Sequence, residues 1–138
     1  APTVEILPQT VATEVPPVAN VPLTATQHLE RGLALLQLAQ PDEARKEIFA
    51  AIEAEPKNQK FYTDAALKAV QTEQLELARE IALAGTAQFP QSAGLHRLHG
   101  TAALRLQRYA EAEAALQQSL SLDNSQALTY FLLGSALD

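Results

Sequence analysis

His96 and His99 stand one helical turn apart, an i, i+3 pair of imidazoles that could in principle share a metal ion. Glu111 and Glu113 are the carboxylates nearest a clustered pair. They fall early in an expected helix, where negative charge answers the positive end of the helix dipole. The five glycines are isolated from one another, so no loop cradles a phosphate. Cysteine is absent, which removes thiolate metal sites and disulfides together. No nucleophile sits with a base and an orienting acid, so we expect no catalytic residue, no cofactor and no metal.

The elements that would position these side chains repeat. Residues 25–58 read as two short helices joined by a tight turn. Sliding this stretch forward by 34 residues puts Ala78 on Ala44 and Pro90 on Pro56. A second slide puts Gly100 on Gly32 and Ala112 on Ala44, and a third brings Tyr130, Leu133 and Gly134 into frame. A fixed period of this length marks stacked units, none of which buries its apolar face alone. In that register His96 takes the place of Tyr62 and Tyr130, His99 that of Leu133, and His28 that of His96. Both histidines of the pair are therefore expected between packed helices, in structural roles.

The spacing predicts seven helices and no strand. The first starts near Thr24 or Thr26, with Thr24 and Gln27 in the form of a capping box, and runs to about Ala39. Gln40-Pro41 breaks it, and Pro41, Asp42 and Glu43 suit the first turn of the next helix, which ends before Pro56. Further helices are expected at about 59–71, 73–88, 93–106 and 109–121, with Asn58 and Ser92 as caps. A last one begins near Ser125. With 47% hydrophobic and 5% aromatic residues, the core must be built mainly from Ala and Leu, both strong helix formers.

A bulky residue, Leu-Gly, a second bulky residue, an Ala opening the second helix and a closing Pro resemble the tetratricopeptide repeat. The fullest match is Tyr130-Phe131-Leu132-Leu133-Gly134. The first unit keeps Gly32, Leu35, Ala44, Ala51 and Pro56; the second keeps Tyr62, Ala78 and Pro90 but carries Ala66 for the Gly; the third keeps Gly100, Tyr109 and Ala112 but has Asn124 for the Pro. The resemblance covers residues 25–138, as units 25–58, 59–92 and 93–126 and a half unit 127–138, after a tail of residues 1–24. It implies an all-α fold, a right-handed superhelical stack of antiparallel helix pairs. Glycine in a helix interior costs about 1 kcal/mol against Ala. Gly32, Gly100 and Gly134 in register therefore imply close helix approach, with Ala44, Ala78 and Ala112 as the facing small residues.

By resemblance the first helix of each unit lines a concave surface. Its residues would be Leu29, Leu33 and Leu36; Lys60, Thr63, Leu67 and Val70; Arg97, Leu98, Thr101 and Arg105; and Leu128, Phe131 and Leu132. Some relatives grip acidic chaperone C-termini with Lys, Asn and Arg at set places, which here hold Leu29, Leu33, Asp64, Gly94 and Leu98. That clamp is missing, and Asp64 would repel a terminal carboxylate. Leu29, Leu33 and Leu36 form an apolar stripe instead, while Leu35 and Ala39 are expected to face the second helix. The plain interpretation of the stripe is a Leu-rich helix; the functional one is an apolar groove with a ligand.

Residues 1–23 hold five of the eight prolines and no Lys, Arg or Gly, so they are read as extended. A simple linker is one reading, but Val4, Ile6, Leu7, Val11, Val15 and Val18 are more apolar than a spacer needs. The alternative is that residues 4–18 lie in the concave groove of their own or a neighbouring molecule. The expected function is a protein–protein interaction scaffold binding an extended or helical peptide segment. A regulatory or anchoring module of a larger enzyme or cell-envelope assembly is the alternative. Copies could associate through the tail or the seventh helix.

Net charge of −6 with interspersed signs argues against nucleic acid. No apolar run approaches the roughly 18 residues of a membrane span. The start at Ala1, the lack of methionine and the half unit at the end lead us to expect part of a longer protein. A Lys-free Pro/Val/Thr leader suits the stretch after a signal or anchor, in the bacterial periplasm, with the cytoplasm the other compartment considered.

Overall fold

The computed structural model describes residues 21–125 and 127–137, with the side chains of 127, 128, 136 and 137 excepted. The expected course of the tail over residues 4–18 lies outside the described residues, as does the side chain of Leu128. Seven helices run through the described part: α1 Ala25–Gln37, α2 Pro41–Ala54, α3 Gln59–Gln71, α4 Leu75–Gln88, α5 Ala93–Arg105, α6 Tyr109–Leu122 and α7 Ala127–Leu137. Each packs on its successor, and α1, α3, α5 and α7 also pack in series on one another. These four form an inner layer of first helices, and α2, α4 and α6 an outer layer.

The caps follow the side-chain chemistry unevenly. Thr24 makes the reciprocal box with Gln27, its Oγ1 accepting from the Gln27 N–H at 3.1 Å while its own N–H donates to Gln27 Oε1 at 2.9 Å. Ser92 Oγ accepts from the Leu95 N–H at 3.2 Å. Asn58 occupies the N-cap position of α3 but turns away, its Nδ2 donating to Glu55 Oε1 at 3.0 Å. Pro41 opens α2, with Asp42 and Glu43 in the first turn.

The turns inside the units differ from the sequence expectation. Helix α1 stops at Gln37, short of Ala39, and α4 starts at Leu75, two residues after the expected 73. Ala39, Glu73 and Gln107 each adopt positive φ, at 60°, 65° and 64°, on the 34-residue period. Each terminates its helix with a Schellman pair of bonds. In the first unit the Ala39 N–H donates to Leu36 O and the Gln40 N–H to Leu35 O, both at 3.0 Å. Gln74 to Ala69 and Arg108 to Ala103 repeat the wide bond at 2.8 Å. Nothing in the residue types announces it, because glycine is the usual occupant of such a position.

The close approach implied by the glycines is present in two of three places. A Cβ on Gly32 would lie 2.6 Å from Ile48 Cγ1, and one on Gly100 would lie 2.6 Å from Leu116 Cγ and Cδ2. Around Gly134 a Cβ would meet nothing within 4 Å. Ala44 and Ala112 are fully buried, as expected, and their carbonyl oxygens stand 3.4 Å from the two Cβ sites. The tight partner, however, is the Ile or Leu one turn further along the second helix. In the second unit Ala66 replaces the glycine and Ala82 replaces that Ile or Leu. One methyl added on the first helix is matched by volume removed from the second.

The main core runs from Ala25 to Ala102 and is made of Ala, Leu and Ile, with Phe61 and Tyr62 as its large aromatics. The Tyr62 ring meets Phe89 edge-on at 5.8 Å between centroids, and burial raises the pKa of its hydroxyl. That hydroxyl donates to Pro56 O at 2.8 Å. His96 makes the same reach six residues back, Nε2 to Pro90 O at 3.0 Å. His96 thus repeats the Tyr62 hydrogen bond one unit on, from a less buried position.

Candidate functional site

The inner layer presents a cleft of about 340 Å³ between α1 and α3, lined by Thr26, Leu29, Glu30, Leu33, Lys60, Phe61 and Asp64. Its floor is apolar because the i, i+4 spacing of Leu29 and Leu33 puts both on the α1 face that meets α3. Leu29 is 6% exposed and Leu33 half-buried. Leu36, expected as the third groove residue, is 0% exposed and belongs to the core. From the turn after α3, Gln74 Nε2 donates to the backbone Leu36 O at 2.8 Å. A ligand in the groove has no access to the Leu36 side chain. Leu98 is likewise buried, at 5%. Leu35 packs on the core from α1, whereas Ala39, expected beside it, is exposed beyond the helix end.

The other expected residues sit as follows. Leu67 on α3 is 43% exposed, and Val70 packs partly on the core. Phe131 on α7 is the most exposed large apolar side chain among the described residues, at 71%, and its neighbour Tyr130 is 52% exposed. The hydroxyls of Thr63 and Thr101 donate to their own helices, to Gln59 O at 3.2 Å and Arg97 O at 2.8 Å. Lys60 pairs with Asp64 at 2.5 Å, and Arg105 pairs with Glu73. Arg97 is half-buried, and its Nε is buried with no hydrogen-bond partner among the described residues.

Phe61, Thr26 and Glu30 complete the cleft and escaped the sequence reading. Phe61 reads as a core residue and Glu30 as a solvated one, and only the angle at which α3 crosses α1 brings them to one opening.

A larger cleft of about 470 Å³ lies on the outer layer between α2 and α4, lined by Pro41, Asp42, Arg45, Glu76, Leu77, Arg79, Glu80 and Leu83. Two of its charges pair with each other and a third is held by a residue outside it. Arg45 holds Glu80 across the unit boundary and lies over the Phe49 ring at 5.0 Å. Arg79 grips Glu111 in a bidentate pair, Nε to Oε2 at 2.6 Å and NH2 to Oε1 at 3.1 Å. His99 Nε2 meets the same Glu111 Oε2 at 2.5 Å, and Arg108 stands 3.9 Å from Oε1. The Arg79 hydrogen bond, against the opposing effect of burial and with His99 assisting, holds the Glu111 carboxyl down at about 2. Glu111 is thus the hub joining the second and third units, well beyond the helix-dipole role its position suggests. His99 is one of its partners, and no group of three or more potential metal ligands occurs among the described residues. No helix among them is long and apolar enough to cross a membrane.

Comparison with known proteins matches this arrangement at the level of fold. No protein-family model matches the chain, and no curated protein matches it. Among solved structures it is similar to the first TPR of Spaghetti (RPAP3) bound to HSP90 peptide SRMEEVD. That likeness has a TM-score of 0.65 and 19% identity, over 83% of this chain and 90% of that one. It is also similar to the Arabidopsis OM64 TPR domain, with a TM-score of 0.63 and 20% identity over 81% and 93% of the two chains. The MamA protein gives a TM-score of 0.68 and 20% identity over 83% of this chain and 62% of that one. The chain therefore has the tetratricopeptide-repeat fold.

Proposed function

We propose that the chain is a protein–protein interaction module that holds a peptide segment of another protein along its inner layer. The observation that carries this reading is the cleft between α1 and α3, where Leu29, Leu33 and Phe61 form an apolar floor rimmed by charge. A concave site with an apolar lining and a few polar groups is the usual form of a binding site. The similar RPAP3 domains are bound to HSP90 and HSP70 peptides. Here the residues at the chaperone-tail positions are Leu29, Leu33, Asp64, Gly94 and Leu98, so a different peptide is expected. Leu33→Asp or Leu67→Asp should abolish capture of the partner while the circular-dichroism helix signal persists. Capture unchanged by both substitutions would remove the reading.

The apolar tail supports a finer version, in which residues 4–18 occupy the groove of the same or a neighbouring molecule. Deleting residues 1–23 should then lower the melting temperature or change the oligomeric state, and added tail peptide should bind the shortened chain. Exposed Tyr130 and Phe131 support self-association through α7 as well. Sedimentation that shows the monomer mass at all concentrations would exclude it.

A further inference from the structure

We infer that α7 docks a basic amphipathic helix of a partner protein on the face that carries Tyr130, Leu133 and Gly134. This surface lies apart from the inner cleft, and it does not depend on the groove reading. Its first support is that the face is open. In repeat register these residues match Tyr62, Ala65 and Ala66, all buried in the second unit, where α3 packs on α4. Tyr62 is 1% exposed and Tyr130 is 52%; Leu133 is half-buried and Gly134 exposed. Helix α7 packs on α5 and α6 and holds no charged residue. A helix apolar on every side is normally covered on every side.

The molecule's own helix pairs show the apolar shape that fits. Gly134 is in register with Gly32 and Gly100, whose Cβ sites lie against Ile48 of α2 and Leu116 of α6. Four residues before each stands an Ala, Ala44 or Ala112, whose carbonyl oxygen is 3.4 Å from the same site. A Cβ on Gly134 would meet nothing within 4 Å, so that position accepts the same side chain from outside. The matching helix carries Ala and, four residues on, Leu or Ile.

Charge then selects the partner. Arg45, Arg79 and Glu113 occupy one position of the successive helices α2, α4 and α6. Arg45 holds Glu80 and Arg79 holds Glu111, each on the second helix of the next unit. Those carboxylates stand two residues after Ala78 and one before Ala112. Glu113 continues the row with its sign reversed. Gln117 Nε2 donates to it at 3.3 Å, and it forms no ion pair among the described residues. The incoming helix therefore carries Lys or Arg one residue before its Ala or two residues after it. A second copy of α7 brings no charge to answer Glu113, which favours a foreign helix over self-association on this face.

The test uses labelled peptides of about 18 residues, long enough to form a helix. They are acetylated and amidated, with Arg-Ala-Gln-Arg-Gln-Leu at the centre of an Ala/Gln background. Anisotropy with the full chain should show binding. Gly134→Ala adds a Cβ that meets no neighbour in the free chain, yet sets a methyl against the peptide Leu. It should weaken binding about tenfold or more. A peptide with Ala for that Leu should then be preferred, as Ala82 answers Ala66 in the second unit. Glu113→Arg should reverse the charge preference, favouring a peptide with Glu for both Arg residues. If that variant does not fold, Glu113→Gln should erase the preference instead. Leu33→Asp should change none of this. No binding, binding indifferent to Gly134→Ala, or binding abolished by Leu33→Asp would overturn the proposal. Indifference to the charge at Glu113 would overturn the basic partner. Dimerisation of the chain in sedimentation that the peptide displaces would assign the face to a second copy and overturn it as well.

Discussion

A Cβ on Gly32 would stand 2.6 Å from Ile48 Cγ1, so the first two helices meet at a distance that only glycine permits beside an Ile. Gly32→Ala should therefore destabilise by about 1–3 kcal/mol despite the better helix propensity of Ala. Combining it with Ile48→Ala recreates the Ala66–Ala82 solution of the second unit. Urea melts of the two single variants and the double should show a favourable coupling of about 1 kcal/mol. Additive losses would show that the helices do not meet as described.

Ala39, Glu73 and Gln107 hold positive φ, a conformation costly to every residue but glycine. Gln107→Gly should raise stability by about 1 kcal/mol, the relief of that strain partly offset by the freer unfolded chain. The same substitution at Ala110, inside α6, should lower stability by a similar amount. Thermal melting of the pair gives the comparison.

Glu111 binds Arg79 and His99 as a carboxylate, and its folded pKa of about 2 lies below the ordinary 4.5. A depressed carboxyl stabilises the fold fully above the unfolded value, and that contribution disappears as pH falls from about 4.5 towards 2. The side chain is 25% exposed, so solvent screening trims the effect. Glu111→Gln should cost about 1–2 kcal/mol at neutral pH and flatten the acid limb of the stability curve. An unchanged acid limb would exclude Glu111 as the link between units.

Tyr62→Phe removes the hydroxyl that donates to Pro56 O at 2.8 Å and leaves the ring against Phe89. Pro56 is exposed, so water can replace the lost donor, and the cost should be about 0.5–1.5 kcal/mol. His96→Phe tests the same bond on Pro90 in the third unit. Losses of several kcal/mol would indicate that packing had failed instead.

Periodicity alone determined the architecture: Gly32, Gly100, Ala44, Ala112, Pro56 and Pro90 at 34-residue offsets specify helix pairs whose apolar faces must stack. It also determined the roles of Thr24 and Ser92, because capping is chemistry between near neighbours in the chain. Tertiary structure decided the rest. Leu29, Leu33 and Leu36 are equivalent by type and spacing, yet the folded stack buries Leu36 completely and leaves Leu33 half-buried at the cleft. Glu111 and Glu113 look alike in sequence, and only the arrival of Arg79 and His99 from two other helices makes one of them a hub. Burial and ion pairing depend on what a neighbouring unit brings across the boundary. The 34-residue frame specifies which units are neighbours, while the crossing of the helices decides which side chains meet.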